Sequence, residues 1–271
     1  MSRAREQREQ HRGRGRRRTE PVDPIWIRPE PTGRRAPRSR DDIAEAAIAV
    51  ADAEGLEAVS MRRVASELGL GTMSLYHYVR SKDELLDLMS DGIMGGQLVD
   101  DAELQQGWRA GLTAIAHATR RNIERHPWMG DAMRPQHSNV PGPNAMRHVD
   151  QSLAAVADTG LDVQGQMDLI AAVDDYVIGY AIRAQRFAEE EADAPGEKWV
   201  AELFEHMRGR IEGGGYPHLQ RALEANRAEG RSDEELARMA TDERRFQRGL
   251  DRLLDGIEVE LSRRVKRRRG R

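Results

Sequence analysis

Apolar residues recur every three or four positions from about residue 40 to the C-terminus, and nowhere do they alternate over the length of a strand. The pattern predicts an all-α chain. Val64, Ala65 and Leu68 share one face behind Ser60, a good N-cap, and Gly69 stands where a left-handed residue would end the helix, with Leu70 free to tuck under the turn. A second helix is expected from Thr72, turning Leu75 and Val79 inward and ending before Ser81. Ser81 and Glu84 then read as a capping box for a third helix led by Leu85, Leu86, Leu88 and Met89.

Further helices are predicted over 108–126, 144–159, 162–192, 198–211, 217–229 and 242–263. The 162–192 helix is apolar all round between Met167 and Ala184, with Ile170, Val173, Val177, Tyr180 and the small Gly179, so it must be covered on more than one side. The last helix carries Phe246, Leu250, Leu253, Ile257 and Leu261 in a seam of heptad type. Packed against a second copy, such a pair makes a four-helix homodimer interface; the alternative is that both are monomer core.

Between the inward residues of 60–82, the side chains of Thr72, Met73, Ser74, Tyr76, His77 and Tyr78 face outward or sideways, and no carboxylate stands among them. Hydroxyl, aromatic and imidazole groups on a surface helix suit a duplex: residues at the start of a recognition helix point at base edges, and flanking polar groups bind phosphates. Arg62, Arg63, Arg80 and Lys82 add positive charge around them, against Glu57 and Glu67.

The stretch SRDDIAEAAIAVADAEGLEAVSMRRVASELGLGTMSLYHYVRSKDELLDLM, beginning at residue 39, resembles the N-terminal domain of the tetracycline-repressor (TetR) family of transcription regulators. Ala53, Glu54 and Gly55 match the first turn of that domain, Leu75 and Tyr76 its leucine-tyrosine element, and Lys82 with Leu85 its close. The resemblance implies that Arg62, Thr72, Met73 and Ser74 lie near bases and that Ser60, Tyr76, His77, Tyr78 and Lys82 contact phosphates. Met73 departs from the pattern, in which proline or a small residue is common, and its apolar contact would suit a thymine methyl. HPWMGDAM at 126–133, the stretch 142–162, DDYVIGYA at 174–181 and FQRGLDRLLDGIE at 246–258 resemble the family's C-terminal domains, which hold an effector pocket and the dimer interface.

The expected organisation is an Arg- and Pro-rich disordered extension (1–36), a helix-turn-helix domain (37–97, reading helices 60–79), a helical ligand-binding and dimerisation body (98–262) and a basic tail (263–271). Net charge is only −3 over 271 residues, which looks wrong for a DNA binder until it is mapped. Residues 1–40 carry a balance of +8 and the last nine hold seven basic residues and no acid, whereas residues 41–262 hold 23 basic against 41 acidic groups. Attraction to DNA is therefore local to the ends and the reading helices. Within the extension, Ile25, Trp26 and Ile27 form an apolar island. The segment reads either as an arm adding phosphate or minor-groove contacts or as a tail whose tryptophan docks on its own subunit.

Cysteine is absent, so neither disulfides nor thiolate chemistry are expected. No apolar run suits a membrane span or signal peptide, and a soluble cytoplasmic protein is the expectation. His117, His126, His137 and His148 lie nine to eleven apart, without the spacing of a zinc site, and no nucleophile elbow, P-loop or dinucleotide fingerprint is found, so no enzyme activity, metal or cofactor is called for. Candidate effector-pocket residues are His117, Trp128, Met129, Met133, Met146, Asp174 and Asp175, with an Asp–Arg183 pair the competing reading of the two acids. The expected partners are double-stranded DNA, a second copy through 162–192 and 242–262, and an unidentified small-molecule effector. The function expected is a repressor released from a palindromic operator; an activator, an effector-independent DNA binder, or a helical enzyme or carrier are the alternatives.

Overall fold

The computed structural model describes residues 24–31, 38–129, 140–192, 197–232 and 243–269. Every regular element among them is helical. The head comprises α1 (Arg40–Glu54), α2 (Met61–Glu67), α3 (Thr72–Leu75) and α4 (Lys82–Gly95). The body follows with α5 (Asp101–Leu104), α6 (Trp108–Arg125), α7 (Pro143–Val156), α8 (Val163–Ala192), α9 (Glu197–Arg210), α10 (Pro217–Ala228) and α11 (Glu243–Arg269).

Local chemistry sets these boundaries. Ser39 and Asp42 form a reciprocal capping box at the start of α1. The end of α2 is a Schellman turn: Gly69 sits at φ +67°, its N–H bonds the Ser66 carbonyl, and the Leu70 N–H bonds that of Ala65 at 2.8 Å. Ser81 caps α4 by accepting from the Glu84 N–H. The expected capping box is only half made, because the Glu84 carboxylate turns to the Arg80 N–H and to Arg28 instead of returning to Ser81.

Two expectations about length change. The second reading helix is regular only over Thr72–Leu75; beyond it His77 and Tyr78 bond three residues back, to Ser74 and Leu75, in tighter turns that carry the chain to Val79. The last helix runs through Arg269, past the expected start of a separate tail at 263.

Disorder over 1–36 does not hold for residues 24–31. Ile25–Ile27 form a 3₁₀ turn, Ile25 is fully buried in the head, and the Arg40 guanidinium binds the carbonyls of Ile25 and Arg28 at 2.7 and 3.0 Å. Arg28 pairs with Glu84 at 2.5 Å. The apolar island therefore docks on its own subunit; residues 1–23 and 32–37 lie outside the described residues.

Two hydrophobic clusters organise the described residues. One joins head residues such as Ile43, Val50, Val64, Leu75, Leu85 and Met89 to Ile123, Trp128, Met129 and Ala181 from the body. The other lies within the body, where Leu112, Ile115, Val173, Val177, Phe246 and Leu250 meet. Leu254, absent from the seam read in the sequence, is fully buried there, while Leu253 and Ile257 are only partly covered. Within the single chain α8 is covered on one side: Ala171, Asp175 and Gly179 face outward, and Met167 is 42% exposed.

Candidate DNA-binding interface

The short α2, the left-handed turn at Gly69 and α3 present one solvent-facing rim. Arg62, Met73, Ser74, Tyr76 and His77 are exposed, and Thr72 is half-buried at the start of α3. Met73 is 76% exposed, a large apolar side chain that the fold itself does not use. Ser60 stands at the edge, accepting the Arg63 N–H at 3.2 Å as the N-cap of α2. Lys82 opens α4, where the positive end of the helix dipole disfavours a cation, so its ammonium is placed against the local electrostatics.

The two arginines of α2 differ. Arg63 is held by Glu54 at 2.7 Å and by Glu67 at 2.7 Å, and these bonds push its pKa upward. It neutralises the acid that faces the rim and has little reach left for a phosphate. Arg62 is exposed and makes no ion pair among the described residues. Arg38, which no sequence signal singled out, reaches the Leu68 carbonyl at 3.4 Å and brings a further cation to the end of α2.

Tyr78 corrects an expectation. Its side chain is 3% exposed and lies in the head cluster, with a buried hydroxyl lacking a hydrogen-bond partner. A phosphate contact from that hydroxyl does not fit this placement. The tighter turns after Leu75 bring position 78 onto the same inward side as position 75.

The head is fastened to the body at several points around α4. Asp91 accepts from the N–H groups of Asn144 and Ala145 at 3.2 and 2.9 Å, taking up donors that the start of α7 leaves open. Asn122 donates to the Ile93 carbonyl at 2.9 Å, near the C-terminal end of α4. On the other side, one oxygen of Asp52 in α1 receives the Trp128 indole N–H at 2.7 Å and lies 2.8 Å from Nδ1 of His126. Asp52→Ala leaves both ring nitrogens without their acceptor and costs about 2–3 kcal/mol, a fall of roughly 4–12 °C in Tm. Asp52→Asn, which keeps a carbonyl oxygen, recovers most of that loss in a circular-dichroism melt; wild-type melting of the alanine variant would contradict the assignment.

The candidate effector residues are not gathered into one site. His117 Nε2 lies 2.9 Å from Gln247 Oε1 and its ring meets Phe246 edge to face, beside an open groove along α6 that it lines with Thr113 and Arg121. Trp128 and Met129 are buried at the head–body joint, and Met146 is 56% exposed on α7. Met133 lies outside the described residues. Asp175 faces outward, and Asp174 makes no ion pair with Arg183 among the described residues.

Burial, with the neighbouring Asp175, pushes the Asp174 carboxyl up to about 6. A carboxyl raised on folding favours the folded state while protonated, so this stability is lost as pH climbs from about 4, the unfolded value, through about 6. Asp174→Asn is therefore expected to raise stability by about 1–2 kcal/mol at pH 8 and by almost nothing at pH 4, read from melts at the two pH values. An equal effect at both would contradict it.

Among the described residues there is no group of three histidine, aspartate or glutamate side chains able to hold a metal ion, and no helix is long and apolar enough to cross a membrane.

Comparison with known proteins follows this division. Residues 43–89 match the family described as bacterial regulatory proteins, tetR family, and residues 102–261 match the tetracyclin repressor-like C-terminal domain. The chain is 37% identical over 244 residues to the HTH-type transcriptional repressor DrrR1 of Streptomyces coeruleorubidus, covering 86% of this chain and 84% of that one. Among solved structures it resembles apo ActR from Streptomyces coelicolor, with a TM-score of 0.59 and 25% identity over 84% of this chain and 98% of the other. ActR in complex with actinorhodin matches with a TM-score of 0.56 and 25% identity, over 83% and 97% of the two chains.

Proposed function

The chain belongs to the tetR family of bacterial regulatory proteins and is a DNA-binding transcription regulator rather than an enzyme, and from this we propose that it is a homodimeric repressor released from a palindromic operator by a small molecule. The observation that carries the reading is the carboxylate-free outer face of α3, beside an α2 whose exposed Glu67 is paired with Arg63, on a helix pair whose continuation, α4, is bonded to the body through its C-terminal half. Arg62, Thr72, Met73 and Ser74 are assigned to bases; Ser60, Tyr76, His77 and Lys82 to phosphates. A relative named as a repressor supports the sign of regulation, and ActR bound to actinorhodin supports control by a small molecule.

The dimer is assigned to α8 and α11. Their outward sides carry Val163 at 72% and Val259 at 50% exposure, and at Gly179 and Gly256 the backbone is open, with no atom where a side chain would stand. A second copy approaching there covers both helices in a four-helix arrangement. One short reading helix contacts few bases, and two held about 34 Å apart double the read-out.

Ligand binding in the body alters the hold on α4 and thereby the spacing of the two rims, so ligand and operator oppose each other by a coupling of about 1–3 kcal/mol. A reporter gene placed behind the selected operator is expected to be silenced by the protein and restored by the ligand that dissociates the complex. Expression that rises when the protein is supplied without ligand would overturn repression as the mode of control.

A further inference from the structure

The far end of α11 carries a charge that DNA reading at the rim leaves unused. Three contacts fix the direction of this helix along α6: Gln247 meets His117, Asp255 meets Arg109 at 2.6 Å, and Leu261, Ser262 and Lys266 line one groove with Trp108. The chain of α11 thus runs from the middle of α6 back past its first residue. The other end of α6 enters the head cluster through Ile123, which lies about 22 Å of helix away from Trp108. Lys266 and the turns after it therefore stand at the end of the body remote from the head.

Residues 263–271 hold seven basic residues and no acid. Arg263, Arg264 and Lys266 are exposed, and the helix continues through Arg269. The acids of the preceding turns are engaged, Asp255 and Glu258 with Arg109 and Glu260 with Arg264 at 2.8 Å. A helix end gains from a cation in its last turn through the dipole, but that need does not account for a run of this length. The basic positions 263, 264 and 266–269 fall within about 9 Å of helix, one charge per ~1.5 Å. Duplex DNA carries one phosphate charge per about 1.7 Å of its axis, a matching density. At about 3.6 residues a turn these positions surround the helix instead of sharing one face. Such a distribution suits phosphates on either side and denies the apolar face that lying in a bilayer surface requires.

We propose that the C-terminal turns of α11 bind the phosphate backbone of a second DNA duplex, without regard to sequence, while the reading rim holds the operator. The separation of the two places assigns them to different segments of duplex, so the protein joins an operator to DNA beyond it. Guanidinium groups take phosphate through paired N–H donors, and Ser262, exposed beside Lys266, adds a hydroxyl of the kind that bonds backbone oxygens. This inference takes operator binding at the rim as given and stands whatever the sign of regulation or the effector.

The test loads the full chain onto bead-bound operator duplex, washes away unbound protein, and measures retention of a fluorescent duplex of unrelated sequence across a salt series. The wild type is expected to retain the second duplex, with retention falling steeply as salt rises. The variant Arg263→Gln, Lys266→Gln, Arg267→Gln, Arg268→Gln loads onto operator like the wild type but holds the second duplex at least about tenfold more weakly, whereas Arg263→Lys, Arg267→Lys, Arg268→Lys keeps it. Phosphatidylserine vesicles and poly-glutamate, supplied at equal charge, displace it less effectively than unlabelled duplex. No retained duplex, retention undiminished in the glutamine variant, loss of retention in the lysine variant, or readier displacement by vesicles or poly-glutamate would each overturn the proposal. Failure of operator recognition shows separately, as beads that take up no protein.

Discussion

The double variant Tyr76→Ala, Lys82→Ala is expected to bind operator at least about 100-fold more weakly than the wild type while melting at the same temperature. Tyr76 is 43% exposed and Lys82 is exposed, so neither holds the head together. Lys82 opens α4 against the helix dipole, and its loss is neutral or slightly favourable to folding. On DNA the same two groups meet phosphates, where a hydrogen bond to a charged partner is worth about 1.5–3 kcal/mol. The single variants separate the two causes. Lys82→Ala lowers the slope of log affinity against log salt by about two per dimer, one cation from each subunit, whereas Tyr76→Ala weakens binding at every salt concentration without changing the slope. Fluorescence anisotropy across a salt series reads both, and wild-type affinity in the double variant would remove the reading rim from this face.

Phe246→Ala carries the largest expected cost in stability, about 3–5 kcal/mol or roughly 6–20 °C in Tm. The ring is fully buried between α6, α8 and α11. It stacks on Tyr176 at 5.7 Å, takes the edges of Tyr180 and His117 at 5.0 and 5.3 Å, and lies 4.6 Å from the Arg120 guanidinium carbon. Truncation removes the partner of four side chains at once, and packing this dense closes poorly over a cavity. Phe246→Leu retains about half of the loss in a thermal melt. A variant melting with the wild type would mean that α11 does not close the body core.

These two sites differ in how far the sequence shows them. Helix positions follow from apolar periodicity because one face of each helix is buried, and the Schellman turn at Gly69 follows from glycine after an apolar run. Tyr78 escapes that logic. A uniform helical period sets it to the side of the face that Leu75 and Val79 turn inward, but the tighter turns after Leu75 shift the phase and align residues three apart, so a side chain resembling a phosphate ligand becomes core. In α11 the periodicity selects Leu253 where the structure buries Leu254, since successive steps of four from Phe246 and Leu250 keep to the inward side.

Pairings across long stretches of chain leave no periodic trace. Arg28 with Glu84, Asp52 with His126 and Trp128, and Asp91 with the start of α7 join residues more than fifty positions apart, and residue type alone does not name a partner. The candidate effector residues scattered for the same reason. Polarisable, aromatic or acidic character marks them in the sequence, whereas packing sends Trp128 and Met129 to the head–body joint, His117 to Phe246 and Met146 to the surface.

The most direct test of the account is footprinting on an operator selected from random DNA, combined with the mass of the complex by analytical ultracentrifugation. Two chains per duplex and two protected half-sites in inverted repeat, with centres about 34–36 Å apart or a multiple of that spacing, are predicted. A single half-site held by one chain, or no protected sequence under any condition, would contradict it.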